Sequence, residues 1–413
     1  MVSPLRSGSV PDLPLHGERG IVTSTRTRTR TRALRATGAL VLLAAVVASG
    51  CTSDEPAPAA ETQQADAREY DFSEVDPIVE AFLAESGLDG AGLVVVDEDA
   101  GIVGEQYFGD FDADRVSLVA SASKMVTAGV LVRLADQGEL DLDQPIAEYV
   151  DWAAGQNPDV TVAQLLSSSS GFVGLLPQPA YGPYVCQFLP TAEMEDCAAT
   201  AWTTPDDDAD IAPPDTEFRY GGVQWQIAGA VAETVSGKSW SELLEETYIE
   251  PCGVESMGYS NHWTVLGSGG FSYPADFDGD TSLLPETENP HMEGGLFIDP
   301  VDYAELLLMH LRDGRCGDTQ VLEPESVERM HTDRIGEAYD GVTMTGTGYG
   351  FGWWVERDGS ERITDAGAYG TVPWLDLDGG FGAYLVLEAE AQLGGQLAAQ
   401  LYEPVEAAVT AAR

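Results

Sequence analysis

Lysine is nearly missing from this chain: two occur in 413 residues, at positions 124 and 238. Basic residues together number 20 against 69 acidic ones. Seven arginines and two acids fall within residues 1–50, so the remainder holds thirteen bases and sixty-seven acids, a net charge near −54. A surface of that sign repels polyanions, which argues against a nucleic-acid partner. No Cys-x-x-Cys and no Cys/His cluster occurs, so neither a zinc site nor any other metal or organic cofactor is implied. No apolar run reaches the about 20 residues of a membrane-spanning helix, and no internal repeat is present.

The two ends of the chain differ in character. Residues 26–35 (Arg-Thr-Arg-Thr-Arg-Thr-Arg-Ala-Leu-Arg) are basic, the stretch Ala36 to Ala48 is apolar, and Ser49-Gly50-Cys51 follow. That succession is the pattern of an export signal. A cysteine directly after three small residues resembles a bacterial lipoprotein signal, with Cys51 as the lipid-modified residue. Ala48 departs from the leucine usual at its position. The expectation is a lipid anchor at Cys51 on the outer face of the bacterial cytoplasmic membrane, or plain secretion if the cysteine is incidental. Residues 1–50 are thus extension and signal. Residues 51–70 are rich in Ala, Pro, Glu, Gln and Asp and read as a disordered tether. Residues 71–413 are long enough for one domain with a substantial core.

Four further cysteines, Cys186, Cys197, Cys252 and Cys316, make an even number in an exported chain, which favours two disulfides. Of the three pairings, Cys186–Cys197 with Cys252–Cys316 is preferred; the first closes one loop and the second joins the ends of two helical stretches.

Val75, Ile78, Val79, Phe82 and Leu83 share one side of a helix within 72–86. Residues 93–96 and 102–108, separated by an Asp/Gly turn, read as a β-hairpin. Ser121 opens a helix running to about Gln137 and ended by Gly138. Residues 143–250 are helical segments and Pro-rich loops. Strands return at 351–356, 361–364, 371–377 and 382–388, and a helix over 394–412 closes the chain. Strands at both ends with helices between predict an α+β fold: an antiparallel sheet flanked by the terminal helices, plus an inserted, mainly helical region.

Ser121-Ala122-Ser123-Lys124 places a hydroxyl and an amine one turn apart. With twenty-five serines and two lysines, such a pair arises by chance in roughly one such chain in eight, so its surroundings must carry the argument. They do. Gly138-Glu139-Leu140-Asp141-Leu142-Asp143-Gln144-Pro145-Ile146, Val160 through Gly171, Pro214 through Tyr220, Gly294-Gly295-Leu296 and Tyr349-Gly350-Phe351-Gly352-Trp353 follow in order. Together with the serine and lysine they resemble the β-lactamase-related serine hydrolases: class C β-lactamases, D,D-peptidases and family VIII esterases. The resemblance spans about 75–400 and implies a β-lactamase/transpeptidase-like fold.

It also implies roles. Ser121 is the nucleophile, Lys124 the base with a pKa lowered by burial, and Tyr220 the proton relay with a pKa lowered by the neighbouring cation. Backbone N–H groups of Ser121 and Ala368 form the oxyanion hole. Two departures bear on the substrate. The usual Tyr-x-Asn is Tyr220-Gly221-Gly222, and the strand position usually cationic falls on Asp365, ahead of Ala366 and Gly367. With Gly222, Asp365 and Gly367 at the substrate, Asp365 is expected to repel a carboxylate, so a neutral or cationic small-molecule or peptide ester or amide fits better than a penicillin. The rival expectation is a binding protein of the same fold that recognises cell-wall or peptide ligands without turnover.

Other signals are plainer. Asp276-Phe277-Asp278-Gly279-Asp280 lacks the terminal glutamate of a calcium loop and reads as a solvated turn. Asp206-Asp207-Asp208-Ala209-Asp210 reads as an exposed charge run. His310 and His331 read as surface residues; His262 and His291 lie in loops near the cleft and are given no role. Of Trp353 and Trp354, one ring is expected in the core and the other outside it or at the cleft.

Overall fold

The structure, a computed structural model, describes residues 68–413 apart from 156, 158, 176–181, 204–210, 267–271 and 337–345. The expected signal, Cys51, most of the tether and the 206–210 charge run lie outside the described residues.

The expected hairpin is present as strands Gly90–Asp97 and Gly101–Gly109. It does not stand alone. Gly90–Asp97 pairs antiparallel with Phe381–Val386, the last strand among the described residues, so that Leu93 faces Leu385 and Val95 faces Ala383. Strands Val372–Asp376, Arg362–Thr364, Trp354–Glu356 and Thr347–Tyr349 continue one seven-stranded sheet on the far side. All pairings in that sheet are antiparallel.

Both faces of the sheet are covered, which is why Gly90–Asp97 is buried at every residue. Side chains alternate along a strand. Leu93, Val95, Ala383 and Leu385 point to one side, where helices Val75–Ser86 and Ala391–Ala412 supply Val75, Val79, Phe82, Leu397, Leu401 and Val405. Val94, Val96, Tyr384 and Val386 point to the other, towards helices Lys124–Asp136 and Pro300–Leu311 and the helical region inserted between the two halves of the sheet. Each large apolar side chain buried there contributes about 1.5–3 kcal/mol. Gly87, at φ +67°, ends the first helix, its N–H returning to Leu83 O at 2.8 Å.

Both expected disulfides are present. Cys186–Cys197 closes a short loop, and Cys252–Cys316 ties the insertion to the segment after Pro300–Leu311. No helix among the described residues is long and apolar enough to cross a membrane.

Candidate active site

Ser121 does not lie in the α-helix. It sits on a 3-10 turn, Ala120–Ser123, and the α-helix begins at Lys124. Residues three apart eclipse on a 3-10 turn, so serine and lysine stack, and Lys124 Nζ donates to Ser121 Oγ at 2.9 Å. Ala120 holds φ +49°, a conformation that costs a non-glycine residue about 1–3 kcal/mol. Four bonds hold it there. Ser123 Oγ donates to Ala120 O (2.6 Å) and accepts the Leu296 N–H (3.0 Å), Val119 N–H donates to Leu296 O (3.1 Å), and the Tyr303 hydroxyl donates to Ala122 O (2.8 Å). Ser123 is therefore the bolt of the motif, leaving Ser121 facing the cleft.

Lys124 is wholly buried. Besides Ser121 it donates to Glu293 O at 2.9 Å, its Nζ lies 3.4 Å from Glu293 Oε2, and the Tyr220 ring centroid is 4.7 Å away. Burial pulls its pKa down, but Tyr220, Glu293 and Asp365 outweigh burial and raise it above the ordinary lysine value. This reverses the sequence expectation of a lowered lysine. Burial likewise raises Tyr220, against the pull of Lys124, so the expected lowered phenol is also reversed.

Tyr220 ends a loop held from beneath. Arg334 pairs with Asp215 at 2.8 Å, Ser169 Oγ and Gln164 Nε2 donate to the same carboxylate at 2.8 Å each, and Arg219 N–H reaches Ser168 O. Burial pushes Asp215 up, yet these partners hold it at about 2. The phenol ring then packs in an aromatic box with Phe218, Tyr349 and Trp354. Trp354 lines the cleft while Trp353 is in the core, as the two rings were expected to divide.

The positions that depart from the family pattern have physical reasons. Gly222 has φ +81°, and a Cβ there would sit 2.6 Å from Gly174 O, so no asparagine fits. Its N–H is not offered to a ligand: it donates to Glu293 Oε2 at 2.8 Å. Asp365 does not face the cleft either. It is fully buried beneath it, accepting the Met125 N–H at 2.9 Å, and burial raises its pKa well above the ordinary carboxyl range. The expected Asp365 repulsion of substrate is thereby corrected. Gly367 and Ala368 do line the cleft; a Cβ on Gly367 would lie 2.1 Å from Val119 O, so only glycine lets this edge approach the nucleophile turn.

The cleft holds about 670 Å³ and is walled by Leu175, Phe188, Trp263, His291 and Trp354, with Ser121, Tyr220 and Glu293 at its floor. Glu293 was missed in the sequence because it directly precedes Gly294-Gly295-Leu296 and its spacing from Lys124, 169 residues, carries no signal. His291 was passed over for the same reason. His310 and His331 are not surface residues: they are buried and bonded to each other, Nδ1 to Nε2, at 3.0 Å, against Trp353. In the 276–280 turn, Asp280 accepts from Ser282 N–H and Asp278 pairs with Arg115. No group of three or more His, Cys, Asp or Glu able to hold a metal occurs among the described residues.

A sheet sandwiched between terminal helices and a helical insertion, with a Ser-x-x-Lys turn at the junction, is the architecture of the β-lactamase-fold serine hydrolases. Residues 75–413 match the beta-lactamase family, and the chain belongs to it. It is 27% identical over 304 residues to penicillin-binding protein 4 of Amycolatopsis lactamdurans, covering 69% of this chain and 75% of that one. It is 26% identical over 199 residues to the D-alanyl-D-alanine-carboxypeptidase/endopeptidase AmpH of Escherichia coli K12, covering 45% and 49%. In fold it is similar to EstCE1, a hydrolase with promiscuous acyltransferase activity, at a TM-score of 0.66 and 19% identity, covering 81% of this chain and 98% of that one.

Proposed function

We propose that this chain is an exported serine hydrolase that cleaves an ester or amide through an acyl-enzyme on Ser121. The observation that carries the reading is the 2.9 Å contact of Lys124 Nζ with Ser121 Oγ, at the floor of an open cleft and beside the Tyr220 phenol. In its neutral form Lys124 takes the Ser121 proton as Oγ attacks the carbonyl carbon. The N–H groups of Ser121 and Ala368 receive the charge that develops on the carbonyl oxygen. Tyr220, kept as a phenol by burial, gives its proton to the leaving group and regains one from Lys124.

The lining supports a neutral or cationic substrate, on new grounds. Among the described residues the cleft wall holds Glu293 and Glu390 and no lysine or arginine. The carboxylate of a penicillin or of a D-Ala-D-Ala peptide would meet no cation there beyond the committed Lys124. Amide cleavage, the chemistry in the name of the carboxypeptidase relative, remains within the proposal; that relative's carboxylate-bearing substrate does not. Anchorage to the membrane through a lipid on Cys51 is part of the same proposal, and the two disulfides support export.

The test is intact-mass analysis of residues 67–413 after exposure to a fluorophosphonate, beside Ser121→Ala. One adduct, lost in the variant, is expected. A folded protein that takes up no adduct would favour the rival reading, a ligand-binding protein without turnover.

A further inference from the structure

Glu293 and His291 approach each other in the same cleft. Glu293 Oε2 is committed: it accepts the Gly222 N–H at 2.8 Å and faces Lys124 Nζ at 3.4 Å. Oε1 is turned to His291, whose Nε2 lies 3.7 Å away. That gap is too long for a direct hydrogen bond and suits one bridging water. The tautomer of the ring is settled by its other side. Trp263 Nε1–H donates to His291 Nδ1 at 3.0 Å, so Nδ1 is the acceptor and the proton resides on Nε2. His291 is buried, its pKa pushed far below the ordinary value, and Nε2 makes no hydrogen bond among the described residues. A donor and a carboxylate oxygen thus converge without touching, on a cleft that Ser121 also lines.

Resting on the acyl-enzyme reading, we propose that Glu293 is the general base of deacylation and that His291 positions the water it activates. The water is held by Nε2–H of His291 and gives one proton to Glu293 Oε1 as its oxygen bonds the acyl carbon. Glu293 passes that proton across the 3.4 Å contact to the Lys124 amine, which acylation leaves neutral. The C–Oγ bond breaks as the Ser121 oxygen takes the proton from Lys124, 2.9 Å away, which returns Lys124 to its neutral form and Glu293 to its carboxylate and leaves serine free. The second water hydrogen departs on the carboxylic acid product. Water is the only co-reactant. Glu293 thus meets Gly222 N–H and Lys124 from a different element, at a place where no asparagine side chain fits.

The experiment separates the two halves of the reaction with a p-nitrophenyl ester as probe. Glu293→Gln keeps an acceptor for the Gly222 N–H and cannot take a proton. Because the carboxylate is one of the charges that raise Lys124, its removal leaves more of the lysine neutral, so the first equivalent of nitrophenolate is expected no more slowly than from the unaltered chain, followed by turnover slowed about 10²–10⁴-fold, the usual share of a general base. Intact mass should then show the acyl group retained on Ser121, and hydroxylamine, which attacks without a base, should restore turnover. His291→Phe, which keeps a ring and removes the donor, should also slow the second step and spare the first. Equal loss of both steps in the folded variants, or no change in either, would overturn the assignment. Absence of any burst and any fluorophosphonate adduct on the unaltered chain would instead refute the acyl-enzyme, and this assignment with it.

Discussion

Four histidines, His262, His291, His310 and His331, are all buried. Burial lowers His262 and His310 to about 3, and His291 and His331 well below the ordinary value. Unfolded, each titrates near pH 6.5. Below that value the unfolded chain binds protons that the folded chain refuses, so stability is present above about pH 6.5 and is lost as pH falls. At 1.36 kcal/mol per unit, each histidine costs about 2 kcal/mol by about pH 5, and the four together about 8 kcal/mol. That is comparable with the whole stability of a typical domain. Carboxyls work the other way: burial raises Glu233 to about 7, so its protonation offsets part of the loss. The clean measurement is therefore a difference. His331→Gln keeps a polar nitrogen for the His310 contact and removes one titrating ring. Urea unfolding between about pH 6 and 5 should show a slope of stability against pH smaller by about 1.2 kcal/mol per unit than the unaltered chain. An unchanged slope would mean that His331 titrates while folded, and would refute the buried-neutral account.

The other predictions are shorter. Asp365 is a buried acid with a raised pKa and one carboxylate oxygen, Oδ1, without a partner among the described residues; its folded form holds a proton where the unfolded form has lost it, so its contribution weakens as pH rises towards the raised pKa. Asp365→Asn, which cannot ionise, should lose less stability between about pH 5 and about pH 7 than the unaltered chain, read as denaturation midpoints at the two pH values, and an equal loss in both would contradict the account. Cys252–Cys316 joins positions 64 apart and Cys186–Cys197 positions 11 apart; loop-closure entropy gives about 4 and about 3 kcal/mol. Paired Cys→Ala variants should follow that order in urea, and a reversed order would show that local packing outweighs chain entropy.

Local pattern made much of the molecule legible. The amphipathic 75–86 helix, the 90–109 hairpin, the helix after Ser121, the late strands and both cysteine pairs were all readable, because side-chain period, turn glycines and cysteine parity are local properties. Ser121 and Lys124 were legible for the same reason: their geometry is set within one turn. Glu293 was not, because its carboxylate reaches Lys124 only when the strand Leu296–Ile298 pairs with Ser117–Leu118 beside the nucleophile turn.

Charge state shows the same division. Composition determined the strong net negative charge and the scarcity of lysine. It could not determine that Lys124 is raised, that Tyr220 stays a phenol, or that four histidines are neutral. A pKa depends on desolvation and on charges a few ångströms away, and those neighbours come from remote parts of the chain. Asp365 makes the point most plainly. Its place in the motif suggested a carboxylate facing substrate, yet the fold turns it under the sheet edge onto the Met125 N–H. Sequence order determined which elements this protein has and which serine is the candidate nucleophile. Only tertiary packing decided which buried groups meet that serine, because burial and proximity are set by the packing of the whole chain.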